Sequence, residues 1–129
     1  MLTDNSSNIL INAMQPDDQA LLAPDMTRSE LNRRQVLVTA NAPIETIYFP
    51  EGGIASIVVQ NKTGEQTEVG IFGREGFSAA PILLGNEQTP YETFMQVDGT
   101  TALTIAADKL RAAADQSRTL RDLLLRYIN

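Results

Sequence analysis

Between Met26 and Ile105 the chain alternates apolar and polar residues in seven short runs. The runs are Thr27–Asn32, Gln35–Thr39, Thr46–Pro50, Gly53–Gln60, Gln66–Phe72, Thr93–Val97 and Thr100–Ile105. Turn residues bound most of them: Asn41-Ala42-Pro43, Glu51-Gly52-Gly53, Asn61-Lys62-Thr63-Gly64 and Asp98-Gly99. A period of two marks a strand with one buried face. Many short strands at close spacing must share a core by closing on themselves. The alternation therefore predicts a mainly β domain, a double-stranded jelly-roll or β-roll. Asp98-Gly99, set between two alternating runs, predicts a hairpin.

The flanks follow a different period. Residues 1–7 are polar and are expected to fray. Ile9, Leu10, Ala13 and Met14 share one face of a short helix, with Ser6 or Ser7 as N-cap. Pro16 suits the first position of a second helix, where Asp17 and Asp18 complement the dipole. Leu110, Ala113 and Ala114 form a modest helical stripe near the other end. Ser117 can cap a final helix carrying Leu120, Leu123, Leu124, Tyr127 and Ile128 at i, i+3, i+4, i+7 and i+8. The expected single domain has N-terminal helices over 1–25, a β-roll over 26–105 and C-terminal helices over 106–129.

At 129 residues the chain can bury one substantial core. It contains no cysteine and no histidine. Disulfides, thiolate catalysis and thiolate-bound metal are excluded, and so is haem held through His or Cys. The commonest general base and metal ligand is missing as well. A metal-dependent cupin-type enzyme on a similar β-roll would need His ligands, so no enzyme, catalytic residue, metal or cofactor is expected. The net charge of −6, with basic residues scattered, makes the chain a poor nucleic-acid binder by itself. No run is long enough to span a bilayer, and the N-terminus lacks the pattern of a secretory signal. The expected location is the cytoplasm, with no membrane partner.

Several separated motifs occur in a suggestive order. Gln35-Val36-Leu37 precedes Ala42-Pro43-Ile44-Glu45-Thr46-Ile47-Tyr48-Phe49-Pro50-Glu51-Gly52-Gly53. Glu68-Val69-Gly70-Ile71-Phe72-Gly73-Arg74-Glu75-Gly76 follows, then Leu83-Leu84-Gly85 and Leu120-Arg121-Asp122-Leu123-Leu124-Leu125-Arg126-Tyr127. From about residue 8 onward this resembles the effector domain of the Crp/Fnr family of bacterial transcription regulators. The resemblance implies a cyclic-nucleotide-binding-like sensor that responds to a small-molecule effector. It implies a homodimer of the full-length protein joined through Leu120, Leu123, Leu124, Tyr127 and Ile128. It also implies a separate helix-turn-helix domain, absent from this chain, as the only contact with DNA. The alternative is a stand-alone interaction module whose final helix docks on its own domain. The first reading expects the gene to continue past Asn129, and the second expects a stop near it.

In that family a phosphate-binding cassette holds the cyclic nucleotide. The buried phosphate needs a paired cation and backbone N–H groups at a helix N-terminus, while a glutamate accepts from the ribose hydroxyl. The corresponding residues here are Gly73, Arg74, Glu75, Gly76, Phe77, Ser78, Tyr91 and Glu92. Glu75 matches the ribose carboxylate. Tyr91 stands where the phosphate-binding Arg lies, and Glu92 takes the small hydroxyl position. A carboxylate there would repel the phosphate, so cAMP and cGMP are expected to bind weakly or not at all. Tyr48, Phe49, Phe72, Phe77 and Phe94 are expected to be core residues, not a stacking box for a ligand.

Overall fold

The computed structural model describes residues 1–128, and Asn129 lies outside them. All seven alternating runs are strands: β1 Thr27–Leu31, β2 Val36–Val38, β3 Thr46–Pro50, β4 Ala55–Gln60, β5 Gln66–Phe72, β6 Glu92–Met95 and β7 Thr100–Ala106. They pair antiparallel in two sheets, ordered β1-β7-β3 and β2-β6-β4-β5. Four α-helices flank them: α1 Ile9–Asn12, α2 Pro16–Leu22, α3 Ala107–Gln116 and α4 Arg118–Ile128. The architecture is the β-roll that the alternation predicts.

β7 explains how the layers stack. It is central in its sheet, and Ala102, Leu103, Thr104 and Ile105 are all buried. Leu103 and Ile105 join Ile47 and Phe49 of β3 under the helices. Ala102 joins Leu31, Leu37, Val38, Ala55, Phe72 and Met95 inside the roll. One sheet thus has a helical layer on one face and the second sheet on the other.

Several local details differ from the sequence pattern. β6 and β7 lie in different sheets, so Asp98-Gly99 turns a corner and forms no hairpin. Gly99 takes φ +83, and the Asp98 carboxylate accepts from the Arg33 N–H in the β1–β2 turn. A left-handed glycine reverses the chain locally, but burial decides which strand lies alongside. The hairpin is β4–β5, where Asn61 Oδ1 accepts from the N–H groups of Thr63 and Glu65 and Gly64 takes φ +87.

The N-terminus is tied down, not frayed. Leu2–Asn5 form a 3-10 turn in which Thr3 is buried. The cap of α1 is Asn8, whose Oδ1 accepts from Ile11 N–H at 2.9 Å. The buried face of this segment is Leu10, Ile11 and Met14, while Ile9 stays 47% exposed. Asp18, expected to complement the helix dipole together with Asp17, is buried and also accepts from the hydroxyls of Ser117 and Thr119.

Candidate ligand-binding site

A cavity of about 350 Å³ opens within the roll. β2 contributes Val38, β4 Ile57, and β5 Val69 and Phe72. A bulge lets Val69 reach it: Ile57 pairs with Gly70 and Val58 with Glu68, which leaves Val69 without a partner. Tyr91, just before β6, and Thr93, within it, line the cavity, with Thr89 beside them. The turn before a 3-10 segment (Ala80–Leu84) adds Phe77 and Ala79, and that segment adds Ala80 and Pro81. Tyr127 reaches across from α4. None of these twelve described lining residues carries a charge.

The Gly73–Gly76 turn is pinned from outside. Arg74 O accepts from Ile9 N–H at 2.7 Å. Asn8, fully buried, donates through Nδ2 to Gly76 O at 2.9 Å and to Pro50 O at 2.7 Å. Glu75 folds back, and its Oε1 accepts from Gly73 N–H at 2.9 Å. A side chain at Gly73 would meet Gly53 O at 2.6 Å, and one at Gly76 would meet the Tyr127 hydroxyl at 1.9 Å. Tyr127 therefore lies directly on the turn, with its ring 5.2 Å from that of Phe77. Phe77 in turn stacks on Phe49 at 5.4 Å. Burial pushes the Tyr127 hydroxyl above its ordinary pKa, and the nearby Glu75 charge adds to this against a hydrogen bond with the Phe77 backbone. The phenol stays protonated and neutral at physiological pH.

Two of the eight cassette positions, Phe77 and Tyr91, line the cavity, and Gly76 lies behind it under Tyr127. Arg74 and Glu75 are exposed and outside the lining. Ser78 is fully buried, but its hydroxyl accepts from Tyr48 N–H at 2.9 Å. Glu92 is likewise outside the lining, because strand alternation turns Thr93 inward in its place. The Glu92 carboxylate, expected from the sequence to face the phosphate, is therefore not part of the cavity wall. A neutral wall with no cation takes over as the feature that bears on phosphate. Phe72 and Phe77 are buried as expected and also form cavity wall.

The proposed dimer stripe faces its own domain in part. Leu120 and Leu124 are fully buried in the core shared with Leu22, Ile82 and Leu110. Leu123, Tyr127 and Ile128 are half-buried. Residues that the sequence did not single out include Thr93, Thr89 and Val38 in the wall and Asn8 behind the turn. Amphipathic alternation flags Thr93 only as a strand residue.

A family model described as the cyclic nucleotide-binding domain matches residues 28–117, more than half of the chain. Solved structures share the fold at low identity. The regulatory subunit of a cAMP-independent protein kinase A from Trypanosoma cruzi, bound to guanosine, is 14% identical, with TM-score 0.76 over 92% of this chain and 41% of its own. The sensor domain of the transcriptional regulator DNR from Pseudomonas aeruginosa is 12% identical, with TM-score 0.74 over 92% and 79%. The catabolite activator protein of Thermus thermophilus is 13% identical, with TM-score 0.74 over 92% and 55%. The chain thus spans about two fifths of the kinase regulatory subunits it resembles. No curated protein matches it. The matched region runs from β1 to the end of α3 and contains the whole cavity turn, and on that match the chain belongs to the cyclic nucleotide-binding domain family.

Proposed function

We propose that this domain is the ligand-sensing part of a Crp/Fnr-type bacterial transcription regulator whose phosphate-binding cassette is degenerate. The observation that carries the reading is the family cavity with no cation in its described wall. A cyclic phosphate buried without a paired cation loses hydration worth on the order of several kcal/mol, and nothing in this wall replaces it. Arg74, the nearest cassette cation in sequence, is exposed on a turn whose backbone is held by Ile9. The guanosine-bound relative supports the idea that the fold accepts a ligand without a phosphate. The two bacterial regulators among the similar structures support a role in transcription. In this reading the domain is cytoplasmic and non-enzymatic. The full-length protein is a homodimer, and DNA is contacted only by a separate helix-turn-helix domain. No described helix is long and apolar enough to cross a membrane.

Calorimetric titration of the protein with cAMP and with cGMP tests the cassette. The expected outcome is no saturable heat in the sub-millimolar range, and a sub-millimolar dissociation constant for either overturns the reading. The second reading is a stand-alone interaction module, and the burial of Leu120 and Leu124 against their own domain favours it. A full-length gene product that is monomeric by light scattering and lacks a DNA-binding domain would select that alternative.

A further inference from the structure

We infer that the cavity takes an uncharged, largely apolar molecule of about two fused rings, anchored by a hydrogen bond to the Thr93 hydroxyl. The inference rests on the sensor reading and adds the chemical class of the ligand. Size comes first. A cavity of about 150 Å³ lined by aliphatic and aromatic groups stays dry and holds one benzene ring. This cavity, at about 350 Å³, has room for roughly twice that. Its walls are Val38, Ile57, Val69, Phe72, Phe77 and Pro81, with small alanines between them.

Polarity comes second. Four hydroxyl-bearing residues line the cavity. Thr89 Oγ1 already accepts from Tyr91 N–H at 3.3 Å, and the Tyr127 hydroxyl lies against Gly76. Tyr91 is 40% exposed at the rim. Thr93 differs from all three. It is only 4% exposed, it lines the cavity, and it takes part in none of the side-chain hydrogen bonds among the described residues, although the sealed, unpartnered hydroxyl of the fold is that of Thr3. A buried hydroxyl that faces an apolar cavity is stabilised by a ligand that donates to it or accepts from it. A charged ligand gains no such match, because the described wall offers no counter-ion.

The pair 2-naphthol and naphthalene-2-sulfonate separates these properties, because both carry the same rings and only the second is a permanent anion. Titration of the intact protein, followed by fluorescence of the probe, is expected to show saturable binding of 2-naphthol. Naphthalene-2-sulfonate should bind at least about tenfold more weakly, a difference of 1.4 kcal/mol. Thr93→Val keeps the shape and removes the hydroxyl, and should weaken 2-naphthol roughly three- to tenfold. Thr93→Phe fills the cavity and should abolish binding. Its fold is checked by circular dichroism, and the comparison of the two probes on the unaltered protein needs no variant. Absence of 2-naphthol binding, equal binding of the sulfonate, or unchanged 2-naphthol binding in a folded Thr93→Phe protein each overturns the inference. Parallel titration with cAMP keeps the two levels apart. Tight cAMP binding would overturn the sensor reading together with this inference, whereas failure of 2-naphthol without cAMP binding would overturn this inference alone.

Discussion

At the residue scale, Glu51 is the most strongly perturbed acid. Its side chain is 6% exposed at the end of β3, and Arg28 of β1 meets it at 2.8 and 2.9 Å. Thr101 of β7 donates to the same carboxylate at 2.7 Å. Burial alone would raise its pKa, but the hydrogen bonds and charge of Arg28 and the Thr101 hydroxyl outweigh it and hold the group at about 2, against an ordinary 4.5. The folded carboxylate stays ionised at pH values where the unfolded one is protonated. Its stabilisation is therefore complete above about pH 4.5 and is lost as pH falls toward 2. The amount is roughly 2–3 kcal/mol. Urea unfolding at pH 6 and at pH 3 should show wild type losing much of this on acidification. Glu51→Gln should already lack it at pH 6 and lose less thereafter. Equal acid sensitivity of the two proteins would contradict the assignment. Neutral pH offers no comparable switch, since the chain has no histidine.

At the element scale, the join between α4 and the Gly73–Gly76 turn is the contact most exposed to a single methyl group. The turn can lie under Tyr127 only because Gly76 has no Cβ. Gly76→Ala should cost about 1–3 kcal/mol, by displacing either the turn or the tyrosine ring. The same substitution in a Tyr127→Ala background should cost much less, because the clashing hydroxyl is gone. Chemical denaturation of the four proteins gives the coupling directly. Equal costs in both backgrounds would place the strain elsewhere. The periodicity of α4 identified its apolar face, but not its partner. Leu120 and Leu124 satisfy their hydrophobicity within this domain, whereas the half-buried Leu123 and Ile128 remain at its edge. A stripe at 3.6-residue spacing is the same whether it meets a neighbouring subunit or the chain's own helices.

At the scale of the whole molecule, Asp18 joins the two ends of the chain. It sits in α2, and Thr119 Oγ1 at the start of α4 donates to it at 2.6 Å, with the Ser117 hydroxyl alongside. Ser117 also caps α4 through a bond from Leu120 N–H at 3.3 Å. Asp18→Ala should remove the buried acceptor that these two hydroxyls share, leaving them only each other and the Leu120 N–H, and cost about 1–3 kcal/mol. Hydrogen exchange should then quicken in both α2 and α4 while β7 stays protected. Acceleration confined to α2 would show that Asp18 does not couple the two ends.

The strands, the β-roll and the helical flanks were legible from the sequence, because periods of two and 3.6 report which side of an element is buried. The lack of His and Cys in the sequence leaves the chain without the commonest ligands for metal and redox chemistry. Partners across space were not legible. The corner at Asp98-Gly99, the Asn8 clamp on Gly76 and the burial of Asp18 each depend on residues far apart in sequence. The cassette shows the same division. Its motif points to a segment, yet whether Thr93 or Glu92 faces the cavity is a matter of strand register. A shift of one residue inverts every side chain, and register is set by pairing with β4, which local sequence does not encode. The sequence alone determined a β-roll without cysteine or histidine, and the tertiary structure decided that its cavity is walled by neutral groups.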